Sequence, residues 1–182
     1  MRKMIAALAL AAMAAMTPAH GDEDVFTTGP VFEDFGPVAG ADADFVVPEG
    51  TVFKVIYDAS EGAAAGELNP MLVTLARFMN MHARAGVPVE NIHLVITLHG
   101  PAMFDVAKQA RYAQAKGQEA ANPNEALVAA LIGKGARVIV CGQSSAMRDL
   151  AKEDLLPGVE LALSAMTVHG VLQAEGYTLN PF

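Results

Sequence analysis

After Gly50 the chain settles into a rhythm that leaves few folds open: short, unbroken apolar runs alternate with longer stretches of helical period. Thr51 to Tyr57 (TVFKVIY) predicts a strand, followed by a Gly- and Ala-rich loop from Asp58 to Leu68. Asn69 is a good N-cap and Pro70 fits the first helical position. Leu72, Leu75, Met79 and His82 then recur three or four residues apart up to Gly86, and Pro88 confirms the stop. Asn91 to Leu98 (NIHLVITL) predicts a second strand, with His99, Gly100 and Pro101 as a sharp exit and a helix over about Phe104 to Lys116. Asn124 caps another helix, which runs through Leu127, Leu131 and Ile132 to Gly133 or Gly135. Arg137 to Cys141 (RVIVC) is a third strand, Gln143 to Ala151 a short helix, and Val159 to Leu163 a fourth strand. A helix starting at Ser164 or Thr167 ends at Gly176, and Tyr177 to Leu179 closes the chain as a short strand. A run such as Val138-Ile139-Val140 has no polar face, so its strand must be covered on both sides. That is the pattern of a parallel sheet between two helical layers, and the expected architecture is a three-layer α/β sandwich.

The first fifty residues follow a different logic. Arg2 and Lys3 precede an uncharged stretch of Ala, Leu, Met and Ile from Met4 to Met16, and Thr17 to Gly21 supply a break and small residues. This is the layout of an export signal over residues 1–21; its apolar run falls short of the roughly 20 residues that span a bilayer. A secreted, periplasmic protein without stable membrane insertion is therefore expected. Residues 22–50 are rich in Gly, Pro, Ala and Asp, with Phe26, Phe32, Phe35 and Phe45 as scattered anchors. They read as an extended arm that packs its aromatics on the body or on a neighbouring subunit, ahead of an α/β domain over 51–182.

Charge removes one class of function. Signal cleavage would take Lys+Arg from 12 to 10 against 20 Asp+Glu, moving the net charge from −8 to −10. The remaining basic residues are spread along the chain, so nucleic acid is a poor partner. Neither a zinc spacing of His and Cys nor a CxxC pair is present, and Gly133-Lys134-Gly135 precedes a strand where a phosphate cradle would follow one. No metal and no cofactor is expected.

In open parallel sheets, reactive groups gather beyond the carboxyl ends of the strands, where helix N-termini also point. Two strand ends here carry chemistry. Cys141, the single cysteine, closes the third strand ahead of Gly142-Gln143-Ser144-Ser145, a turn into a helix whose N–H groups favour a thiolate. The competing reading is a small packed hydrophobe. His99 closes the second strand, as a general base, a ligand-binding group or a turn histidine satisfied by backbone. Gly100 beside it, and Asn124 at a helix start, are further binding candidates, although Asn124 is most simply a cap. Asp58 and Ser60 are weaker rim positions. His82 reads as packed, His93 as a strand residue and His169 as mid-helix; Ser144 and Ser145 read as caps.

The segment GARVIVCGQSSAMRDL (Gly135 to Leu150) resembles the surroundings of the reactive cysteine in the DsrE/DsrF-like sulfur-relay family. GPVFEDFGPVAGADADF (Gly29 to Phe45), LNPMLVTLARFMNMHARAGVP (Leu68 to Pro88), LHGPA (Leu98 to Ala102), NPNEALVAAL (Asn122 to Leu131) and the closing Glu153 to Phe182 resemble its exported members. The resemblance implies a mostly parallel sheet of about five strands and assembly as a homotrimer or homohexamer. It also implies a cysteine, here Cys141, that accepts sulfane sulfur as a persulfide and passes it to a thiol or persulfide partner protein. In that role Gly142, Gln143 and Ser144 would offer hydrogen bonds to the terminal sulfur, with His99 as a neighbour. Transfer of this kind needs neither a cofactor nor a second cysteine in the chain. The alternative function is a non-catalytic oligomeric module that binds a small ligand or partner and in which Cys141 is merely packed.

Overall fold

The computed structural model describes residues 25–117 and 121–181; the expected export signal lies outside the described residues. Five parallel strands form one sheet: β3 (Phe53–Ala59), β4 (Ile92–Leu98), β5 (Arg137–Cys141), β6 (Glu160–Ala162) and β7 (Thr178–Asn180), in the order β6-β5-β4-β3-β7. The α/β class and the parallel sheet flanked by helices are as expected.

Alternation along the strands sorts the core into two unequal parts. Val55, Tyr57, Leu94, Ile96, Leu98, Val138 and Val140 face one way, into the main core beneath α1 (Pro70–Arg84) and α3 (Asn124–Gly133). Ile56, Val95 and Ile139 face the other way, where Val168 and Leu172 of α5 (Ala165–Ala174) cover them.

Helix α1 starts as its sequence dictates. The Asn69 side chain accepts from the Met71 N–H and Pro70 takes the first turn. On α1, Met79 is core, while His82 packs edge-on against Phe53 and tilted over Phe78, with its Nδ1 2.8 Å from the Phe78 carbonyl. Several boundaries differ from expectation, the first strand among them, which runs two residues later than read, over Phe53–Ala59. The stretch after His99 is a 3-10 segment over Gly100–Val106, and α2 begins only at Gln109 and ends at Lys116. Gly100 at φ +55° with Pro101 behind it does not enter an α-helix directly. The helix after Cys141, α4 (Gly142–Met147), is shorter than read and starts one residue earlier, with Cys141 itself as N-cap. The buried Ser145 hydroxyl donates to the Leu150 carbonyl and caps no helix start.

The arm holds a short antiparallel ribbon, β1 (Phe26–Thr27) with β2 (Val38–Ala39), and it docks on α1. Asn80, fully buried, accepts from the N–H groups of Val31 and Phe32 and donates to the carbonyls of Phe32, Phe35 and Gly36 at 2.9–3.1 Å. Arg84 donates to the carbonyls of Thr27, Thr28, Gly29 and Val38. Arg77 Nε donates to the Pro37 carbonyl at 3.0 Å, so a segment with no periodicity has much of its backbone bonded by three side chains of one helix. Of its aromatics only Phe32 is buried; Phe45 stands exposed.

On the α1 and α3 face, the carboxyl edge of the sheet is closed by a polar cluster around Asp105. Its Oδ1 lies 2.6 Å from Lys116 Nζ, and its Oδ2 accepts from the Ala63 N–H and Asn69 Nδ2, each at 2.8 Å. Asn124 belongs to this cluster. Its Oδ1 accepts from the Asn69 N–H at 2.7 Å and its Nδ2 donates to Asn122 Oδ1. Asn122 supplies the cap expected of Asn124, accepting from the Asn124 N–H at 3.0 Å.

Candidate functional site

Strand parity places the site on the α5 face. Asp58 shares the orientation of Ile56, Thr97 that of Val95, and Cys141 that of Ile139. Asp58 and Thr97 are direct register partners on β3 and β4, and Leu98 pairs with Val140 on β5. One residue beyond that last pair come His99 and Cys141, brought to adjacent strand ends. Together with Gln143, Ser144, Ser164, Ala165, Met166 and His169 they line a cavity of about 250 Å³. A larger hollow, of about 450 Å³ between residues 47–51 and 85–91, has no cysteine or histidine in its wall.

Cys141 is 7% exposed. Burial pushes its thiol up, but the N–H groups of Ser144, Ala165 and Gln143 and the Ser144 hydroxyl outweigh it and leave the thiol below its ordinary value. These donors come from the first residues of two helices, α4 and α5. Ser164 fixes the start of the second by accepting from the Thr167 N–H at 3.0 Å. Gly142 makes the convergence possible: a Cβ there would stand 2.4 Å from the Ala162 carbonyl oxygen, so only glycine lets α4 leave β5 this close to β6.

The opposite wall is built on Asp58. His99 Nε2 lies 2.9 Å from its Oδ2, while Oδ1 accepts from the Thr97 hydroxyl at 2.5 Å and lies 3.1 Å from His169 Nε2. His169 Nε2 is also 2.8 Å from Thr97 Oγ1. Among the described residues no group of three or more His, Cys, Asp or Glu side chains is arranged to hold a metal ion.

Of the residues singled out in the sequence, Cys141, His99, Gln143 and Ser144 share one cavity, with Gly142 as the close-approach residue behind them. Gln143 turns its amide to the Leu163 carbonyl at 3.1 Å, so its backbone rather than its side chain serves the thiol. Gly100 bends the chain away at the rim, its Cα facing the Ser60 carbonyl. Asn124 is corrected: it is fully buried in the Asp105 cluster on the other face, because α3 starts there and its side chain answers the Asn69 N–H. Sequence reading missed His169 and underrated Asp58. The available signal was parity: Asp58 is two residues past Ile56, and His169 adjoins Val168 on the helix that covers Ile56.

The site is thus a single thiol at the end of a parallel strand, beside the first residues of two helices of an α/β domain. The DsrE/DsrF-like family model matches residues 51–181, and the chain belongs to that family. Among solved structures, it is similar to a protein of unknown function, MTH1491, from Methanobacterium thermoautotrophicum: 16% identity and TM-score 0.51 over 71% of this chain and 99% of that one, a likeness of fold. It is also similar to the ychN protein from E. coli, at 16% identity and TM-score 0.49, over 72% of this chain and all of that one. No curated protein matches.

Proposed function

We propose that Cys141 accepts and passes on sulfane sulfur as a persulfide, which makes the protein a sulfur carrier or transferase of the DsrE/DsrF-like family. The observation that carries this reading is the placement of Cys141 at the end of β5 and the start of α4, in the wall of a cavity it shares with His99, Ser144 and Ala165, with nearby donors holding the thiol below its ordinary value. Hydrogen bonds to a thiolate lower its pKa, raising the fraction able to attack a sulfur donor and making it a better leaving group when the sulfur moves on. The cavity beside it has room for an added sulfur and for the tip of an approaching donor. In this reading the protein works after export and as a homo-oligomer.

The test is intact-protein mass spectrometry before and after exposure to polysulfide or thiosulfate, and again after a reductant, with Cys141→Ser alongside. A reductant-sensitive gain of about 32 Da per sulfur, absent from the variant, is the expected result. An unmodified chain whose thiol resists alkylation until unfolding would point instead to a binding module with a packed cysteine.

A further inference from the structure

Two imidazoles share one carboxylate across the cavity from Cys141, and persulfide formation as described uses neither of them. An ionised carboxylate only accepts hydrogen bonds, so the Nε2 atoms of His99 and His169 that face Asp58 both carry hydrogen. Nδ1 of a neutral ring is then left with the lone pair. A carboxylate that fixes the tautomer of an imidazole and raises its basicity is the usual support of a general base. The two rings are not equivalent. His169 is tied twice, to Asp58 and to Thr97, and its side chain is 20% exposed; His99 has the single Asp58 bond and is 33% exposed. The titratable groups around the cavity are Asp58 from β3, His99 from the end of β4, Cys141 from the end of β5 and His169 from α5; α4 presents only Gln143 and Ser144.

We propose that His99 is the general base that takes the proton of an incoming acceptor thiol, with Asp58 as its positioning residue and with Thr97 and His169 holding the second carboxylate oxygen. The inference rests on the persulfide reading of Cys141. The acceptor R–SH gives its proton to His99, and R–S⁻ attacks the outer sulfur of Cys141–S–SH. The S–S bond to Cys141 breaks, its electron pair stays on Sγ as thiolate, and R–S–SH departs. Nothing is oxidised or reduced overall; one sulfane sulfur changes carrier. The Cys141 thiolate so released is received by the Gln143, Ser144 and Ala165 N–H groups. An ordinary thiol is only a few per cent ionised near pH 7, which is what gives a base its purpose here. An acceptor that is already an anion needs none.

Wild type, Asp58→Asn, His99→Gln and Asp58→Glu are loaded with polysulfide, checked by intact mass, and mixed with a small thiol or with sulfite between pH 6 and 9.5. Asp58→Asn and His99→Gln are expected to slow transfer to the thiol by about 10²-fold at pH 7, a deficit that shrinks as rising pH ionises the thiol unaided. Transfer to sulfite at pH 8 falls far less, and Asp58→Glu recovers much of the thiol rate. Equal losses with both acceptors, a loss independent of pH, or no loss in either variant would overturn the proposal. If Asp58→Asn fails to fold, His99→Gln, at a part-exposed strand end, carries the same comparison. Wild type that takes up no sulfur defeats the persulfide reading itself, whereas loaded protein with any of the contrary outcomes defeats this inference alone.

Discussion

Two aspartates sit at the carboxyl edge of the same sheet, one on each face. Asp105 is fully buried, with Lys116 on one oxygen and two N–H donors on the other, and its cluster ties the loop after β3 to the starts of α1 and α3. Asp58 is 33% exposed, and its oxygens face the Thr97 hydroxyl and the imidazoles of His99 and His169. The Asp105 cluster spends its hydrogen bonds on holding backbone in place. The Asp58 cluster holds side chains beside a thiol and leaves them open to an approaching molecule. The same residue type at the same edge therefore serves architecture on one face and supports chemistry on the other, and the difference lies in what the neighbouring elements supply.

Removing each carboxylate is the sharpest way to break the comparison. Asp105→Ala removes a fully buried carboxylate on which Lys116, the Ala63 N–H and the Asn69 amide all converge, and should cost about 3–5 kcal/mol in denaturant unfolding. Asp58→Ala should cost about 1 kcal/mol or less by the same measurement. Similar losses at the two sites would erase the distinction. Gly142→Ala comes next. Its Cβ would collide with the Ala162 carbonyl, so β6 or α4 must shift, with an expected loss of about 1–3 kcal/mol and a thiol that titrates higher in alkylation assays.

Cys141 itself should be alkylated with a midpoint below the ordinary thiol range, and Ser144→Ala should raise that midpoint. Because the folded-state pKa is depressed, the thiolate's contribution to stability is fully present above the unfolded thiol value and is lost as pH falls through the folded one. The stability gap between wild type and Cys141→Ser should accordingly widen with rising pH across that window.

His82 sharpens the contrast from a third position, as an imidazole with no carboxylate. Burial holds its pKa below the ordinary histidine value, opposed by the Phe78 carbonyl. Its sign is the same: stability is full above the ordinary imidazole value of about 6.5 and falls as pH drops through the lowered folded value. His82→Phe should flatten that acid limb in unfolding curves. The smallest effect belongs to the exposed Arg137–Glu160 pair, bidentate at 2.7 and 2.8 Å, where Glu160→Gln should change stability by about 1 kcal/mol or less.

Those features of the molecule that depend on local chemistry could be read from the chain. Asn69-Pro70 starts its helix where the capping rules put it, the apolar runs became the strands, and Cys141 and His99 stand at strand ends. What depends on pairing could not be read. Strand order decides that Asp58 meets Thr97 and that His99 and Cys141 end side by side, and no single strand encodes its neighbour. His169 looked like an ordinary mid-helix residue because its relevance comes from the sheet beneath it. Asn124 misled for a related reason: its segment does begin a helix, but the cap is Asn122, two residues earlier, while the Asn124 side chain answers a distant N–H from Asn69.

The two-residue alternation described along β3, β4 and β5 has a consequence for how such a protein can change over time. Substitutions can alter Asp58, Thr97, His99 or Cys141 one at a time. A single-residue insertion or deletion upstream within β4 would instead flip everything after it, sending Thr97 and His99 into the apolar side and Leu98 into the cavity. A length change should therefore be tolerated only in the connections, and between Ile92 and Leu98 the spacing of the residues is as much part of the site as their identity.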